Sequence, residues 1–119
     1  MPGKIVAVVA DLMFTVRISD AAKRAGVPVQ FVKTVEDALL RAREASAVIL
    51  DLNFAPAEWI ARLKSDEQTR AVPLVGFVSH VESEVIRKAR ESGCETVMAR
   101  SAFVQNLPEL MASFELPGR

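Results

Sequence analysis

The residue of this chain best placed to do chemistry is Asp51, which ends the continuous apolar run Ala47-Val48-Ile49-Leu50. A run without polar alternation reads as a strand covered on both faces, the usual state inside a parallel sheet. Open α/β sheets keep ligands and reactive groups at the carboxyl ends of such strands. A second carboxylate, Asp11, follows the run Ile5 to Ala10 and precedes Leu12-Met13-Phe14, where it can also cap a helix. Arg100 follows the last apolar run. Two carboxylates and a guanidinium can hold a cation or receive a transferred group, but they do not make a hydrolytic centre. His80 is the only histidine, no Ser/His/Asp set forms without it, and it reads as a loop residue. Cys94, the only cysteine, follows Gly93 at a helix–strand junction and reads as a small packing residue. Ala10-Asp11-Leu12-Met13 contains no glycine, which counts against a dinucleotide, flavin or P-loop phosphate cradle, so no organic cofactor is expected.

The elements that must position these residues follow from the hydrophobic pattern. Five apolar runs recur at intervals of roughly 20 to 25 residues, as repeated βα units require. They are Ile5 to Ala10, Val27 to Val32, Ala47 to Leu50, Val72 to Val78 and Thr96 to Ala99. A first helix is expected over Leu12 to Ala25, with Val16, Ile18, Ala21, Ala22 and Ala25 mostly along one side and Gly26 as its C-cap. Thr34 should cap a second helix reaching Ala45, with Asp37 three residues on. A third spans Pro56 to Leu63 with Trp59, Ile60 and Leu63 inward, and a fourth runs from about Glu82 to Ser92, stopping at Gly93. A fifth begins near Ser101, and Pro108 within it predicts a kink or a start nearer Leu107.

This alternation implies a doubly wound parallel sheet with helices on both faces. The flavodoxin-like strand order 2-1-3-4-5 would put Asp11 and Asp51 at one crevice, the topological switch point. The 119 residues form a single domain, 1–119, half hydrophobic and one quarter charged. Lys plus Arg equal Asp plus Glu at 15 each, which excludes a global field for nucleic acid or an anionic membrane. The basic residues Arg87, Lys88 and Arg90 are offset by Glu82, Glu84 and Glu91. The lone cysteine, the lack of a signal segment and the short apolar runs predict a cytoplasmic protein with no membrane span.

The segments Ser46 to Pro56, Val72 to His80 and Gly93 to Phe103 resemble the receiver domain of two-component response regulators, the CheY-like family, and the likeness extends over nearly the whole chain. The resemblance implies the five-stranded CheY-like fold with five helices. It implies that Asp51 is the phosphoacceptor, accepting a phosphoryl group from a histidine kinase. It further implies a Mg²⁺ site made by Asp11, Asp51 and the backbone carbonyl of Asn53. The family's hydroxyl switch position falls on Val78, with Ser79 one residue late, and its lysine position on Arg100. The partner acid of Asp11 is replaced by Ala10, the proline after the lysine position by Ser101, and the aromatic of the fifth strand by Val97.

These departures bear on the chemistry. Phosphoryl transfer needs concentrated positive charge, which Mg²⁺ usually provides. Ala10 removes one anionic anchor, Val78 offers no hydroxyl, and Arg100 directs its donors differently from an ammonium. The expectation is a stand-alone, degenerate pseudo-receiver, not an enzyme, acting in a phosphorelay by protein–protein interaction. Arg100 is expected to pair with Asp51 and mimic a filled site. The partner is a histidine kinase or a downstream signalling protein, or a second copy meeting the face of the fourth helix, fifth strand and fifth helix. Val97, Arg100, Phe103 and Gln105 are the candidate partner surface. The alternatives are a working single-domain regulator phosphorylated on Asp51 with Mg²⁺, and a small α/β ligand-binding domain or enzyme using the same crevice.

Overall fold

A computed structural model describes residues 4–79 and 83–113. Ten elements alternate along the chain: β1 (Ile5–Val8), α1 (Leu12–Ala25), β2 (Val29–Val32), α2 (Val35–Ala42), β3 (Ala47–Asp51), α3 (Ala57–Ser65), β4 (Leu74–Val78), α4 (Ser83–Glu91), β5 (Thr96–Ala99) and α5 (Arg100–Ser113). The five strands pair in parallel in the order β2-β1-β3-β4-β5, the flavodoxin-like arrangement. His80 and the expected first residue of the fourth helix, Glu82, lie outside the described residues.

Local chemistry sets the helix ends. The Asp11 carboxylate accepts the N–H groups of Met13 and Phe14 at 2.8 and 3.3 Å, satisfying two donors that α1 cannot pair internally. Gly26, at φ 73°, closes that helix in a left-handed turn. Thr34 caps α2 by accepting the Asp37 N–H at 3.1 Å. The α5 helix runs through Pro108 and starts at Arg100, not near Leu107. Its buried stripe of Phe103, Leu107 and Met111 anchors both halves to the sheet, which offsets the donor the proline lacks.

Alternate strand residues face opposite layers. Val6, Val8, Val48, Leu50 and Val78 pack under α2, α3 and α4, against Ala38, Ala42, Ile60, Leu63 and Ala89. Ile5, Ala7, Ile49, Val75 and Phe77 pack under α1 and α5, against Phe14, Ile18, Ala22, Phe103, Leu107 and Met111. On this second face Phe77 is stacked between Phe14 and Phe103, with ring centroids 4.9 and 4.4 Å away. Removing such a buried ring costs about 3–5 kcal/mol. Because α1 and α5 share a face, their amino-terminal ends stand side by side, and the chemistry of the cleft depends on that.

Two expectations fail by angular position around the helix. Val16 is not part of the inward stripe of α1; it is 61% exposed, and with Leu12 and Met13 it leaves an apolar strip on the helix surface. Phe103 is fully buried against Phe77 and cannot belong to a partner surface. Phe103 falls on the buried stripe with Leu107 and Met111, and Gln105, about 200° round the helix from it, faces outward. Among the described residues no helix is long and apolar enough to cross a membrane.

Candidate functional site

Asp51 ends β3 opposite Phe77 of β4, and it continues the alternation of Ile49 toward the α1–α5 face. It is one of two buried polar residues among those described. One carboxylate oxygen accepts the Asn53 N–H at 3.1 Å. Burial pushes the carboxyl pKa up, and the Asp11 charge adds to this; the Asn53 N–H and the nearby Arg100 charge work against it without cancelling it. The carboxylate therefore carries a charge that its surroundings incompletely stabilise. Such a group attracts a cation, a proton or a covalent modification.

Asp11 follows β1 in the same crevice, and its carboxyl shifts the other way. The cap donors Phe14 and Met13 and the Arg100 guanidinium outweigh burial and lower its pKa. Arg100 Nη2 donates to Asp11 Oδ2 at 2.8 Å. The same guanidinium lies over the Phe14 ring, 4.1 Å from its centroid. The expected partner of Arg100 was Asp51; the guanidinium instead pairs with Asp11. The adjacent amino-terminal ends of α1 and α5 decide this, since they bring Arg100 to the capping carboxylate. Asp51 feels Arg100 only through space.

The other site positions are placed as follows. Val78 points away from Asp51 into the α2–α3–α4 core and is 1% exposed. Ser79 reaches the cleft rim, where its N–H and hydroxyl both donate to Asn53 Oδ1, at 2.7 and 2.9 Å. The Asn53 side chain thus ties the loop after β3 to the loop after β4. This tie was missed in the sequence, where only the backbone carbonyl of Asn53 was singled out; a carboxamide two residues beyond a buried strand-end acid was the available signal. Val97 is half-buried and Gln105 exposed. Cys94 is buried, which pushes its thiol up to about 11 and leaves it protonated and unreactive at neutral pH.

A divalent ion fits this arrangement poorly. Both Asp11 oxygens already accept hydrogen bonds, one from the helix cap and one from a guanidinium. Ala10 offers no second carboxylate. Among the described residues no three His, Cys, Asp or Glu side chains cluster as metal ligands.

No protein-family model matches the chain, and no curated protein matches it. Solved structures match it closely in fold and weakly in sequence. The chemotaxis response regulator CheY4 of Vibrio cholerae superposes with a TM-score of 0.80 at 16% identity, over 96% of this chain and 99% of that one. The phosphorylated cyanobacterial phytochrome response regulator RcpA gives 0.79 at 19% identity, covering 95% and 91%. The receiver domain of a sensor histidine kinase from Pseudomonas aeruginosa, with a magnesium ion in its active-site cleft, gives 0.80 at 14% identity, covering 96% and 98%. The fold is that of response-regulator receiver domains.

Proposed function

Starting from the receiver fold, we propose that this chain is a receiver-like module of two-component signalling that acts through protein contacts, with Asp51 at the phosphoacceptor position and Mg²⁺-dependent phosphorylation lost or severely weakened. One observation carries the reading: the strand-end carboxylate is retained in the switch-point crevice, while the groups that would assist transfer to it are absent or engaged elsewhere. Asp11 is held by Arg100 and by the α1 cap. Val78 is buried on the far side of the sheet, and the Ser79 hydroxyl is bonded to Asn53. Among the described residues, a phosphoryl group arriving at Asp51 would meet one guanidinium, and the Ser79 hydroxyl at the end of β4 is already bonded to Asn53. The charge needed at the transition state is therefore undersupplied.

A module of this kind signals by presenting a surface. The candidate face combines Gln105, the exposed part of Arg100 and the half-buried Val97. Its partner would be a histidine kinase, a downstream protein, or a second copy docking through α4, β5 and α5. The decisive experiment is treatment with acetyl phosphate, or with beryllofluoride, in the presence of Mg²⁺, followed by intact-mass and amide NMR measurements. The expected result is substoichiometric or no modification. Stoichiometric modification at Asp51 would make the chain a working regulator and overturn the degenerate reading.

A further inference from the structure

We propose that the Arg100 guanidinium is the resident cation of this cleft and takes the place of a divalent metal, so that the site does not bind Mg²⁺. The proposal rests on the receiver-like reading of the crevice. It asks where the positive charge beside Asp51 comes from.

Three features distinguish Arg100 from an ordinary surface arginine. It is held by an ion pair to Asp11 at 2.8 Å, with its side chain one-third exposed. It is stacked on the Phe14 ring at 4.1 Å. That ring is itself immobilised against Phe77 at 4.9 Å and tilted toward Phe103 at 6.3 Å. The guanidinium thus has a packed aromatic seat on one side and a carboxylate on another, and two restraints of different kind define its position. A planar cation suits such a seat; a lysine ammonium would lose the stacking.

Among the described residues, the oxygen donors left over, one Asp51 oxygen and the Asn53 carbonyl, do not satisfy a divalent ion. Mg²⁺ requires near-octahedral oxygen coordination at close range and holds its waters tightly, so it depends on well-placed anionic ligands. Asp11 would have to release Arg100 to serve as one, and the displaced guanidinium would remain beside the incoming ion as a like charge. Ala10 cannot add the second acid. Asp51 keeps one oxygen free of the Asn53 N–H, which is too little to hold the ion alone. The resident charge is tethered covalently to the chain and is seated by the Asp11 and Phe14 contacts. The electrostatic state of the cleft is accordingly independent of divalent-ion concentration.

The test compares wild type, Arg100→Ala and the double variant Ala10→Asp/Arg100→Ala in MgCl₂ and in NaCl of matched ionic strength. Thermal unfolding and Mn²⁺ broadening of amide resonances serve as readouts. Wild type should unfold at the same midpoint in both salts, with no selective broadening at Asp11, Asp51 or Asn53. The double variant, with two acids and no resident cation, should bind the ion. At Mg²⁺ tenfold above its Kd the apparent folding constant should then rise about 11-fold. Arg100→Ala alone should show the same gain in weaker form and serves as the second variant. Saturable, selective Mn²⁺ broadening in wild type would overturn the proposal, as would folded variants that gain no metal binding. The outcomes separate the two readings. Metal binding by wild type defeats the resident cation and leaves the receiver-like role of Asp51 to the phosphodonor experiment. Stoichiometric phosphorylation in EDTA defeats the degenerate reading and supports the resident cation.

Discussion

Each end of the parallel sheet carries an acid and a base, and the two ends have resolved their charges in opposite ways. At the amino-terminal edge, Lys64 Nζ donates to the carbonyls of Arg70 and Val72 and to Glu95 Oε2, at 3.2, 3.1 and 2.6 Å. The other Glu95 oxygen accepts the Leu74 N–H at 2.9 Å. Burial would raise the Glu95 pKa, but Lys64 and the Leu74 N–H outweigh it, and the net shift is downward. At the carboxyl-terminal edge, among the described residues, Asp51 has one backbone donor and no cation in contact, and its shift is upward. A polar cluster whose donors and acceptors are all used stabilises a fold. One left incomplete is costly to the fold, which is the usual mark of a place kept for function.

The largest expected effect breaks the complete end. Lys64→Ala removes three hydrogen bonds and the stem that covers Gly93, where φ is +114° and a Cβ would lie 2.7 Å from Lys64 Cγ. The loss should be about 2–3 kcal/mol by urea unfolding at unchanged m-value. A loss below about 0.5 kcal/mol would mean that solvent replaces these bonds without penalty and that the contrast between the ends is false.

The next effect has the opposite sign. Asp51→Asn keeps an acceptor for the Asn53 N–H and removes the incompletely compensated charge, so it should stabilise the protein by about 1 kcal/mol at neutral pH. The folded pKa of Asp51 is raised, so its penalty is present in full above that value. It disappears as pH falls through the window between the raised value and the usual carboxylate range. The advantage of the variant should therefore vanish in acid. Glu95 must behave in reverse: its contribution is present at neutral pH and is lost as pH falls through its depressed value. Parallel pH–stability profiles for Asp51→Asn and Glu95→Gln would contradict this assignment.

The smallest effect sharpens the picture of the open end. Asn53→Ala cuts the tie to Ser79 and should cost about 0.5 kcal/mol, because the contact is solvent-exposed. Its clearer signature is faster hydrogen exchange at the Ser79 amide with little change elsewhere. Unchanged exchange there would show that the tie does not restrain the loop.

Particular residues show where sequence reasoning reached and where it stopped. The strands, the caps at Asp11 and Thr34 and the position of Asp51 were legible because they follow from local patterning and short-range donor–acceptor matching. The 2-1-3-4-5 order was a preference among doubly wound topologies that the structure bears out. Val16 and Phe103 were misplaced because a face is set by angle around the helix: Val16 stands about 200° from Ile18, and Phe103 shares the buried stripe of Leu107 and Met111. Lys64 lies in the last turn of α3. Its partner Glu95 lies 31 positions away, and nothing local marks the pairing.

By itself, the amino-acid sequence determined the alternating architecture and set a carboxylate at the mouth of a buried sheet. These follow from continuous apolar runs and a helical period of about 3.6 residues, which neighbouring positions express directly. Only the tertiary structure decided which charges meet there. Asp11 and Arg100 are 89 positions apart, and they pair because α1 and α5 share one face of the sheet and start side by side over the Phe14–Phe77–Phe103 stack. A charged pair is chosen by distance in space, and that distance is set by the packing of the core beneath it.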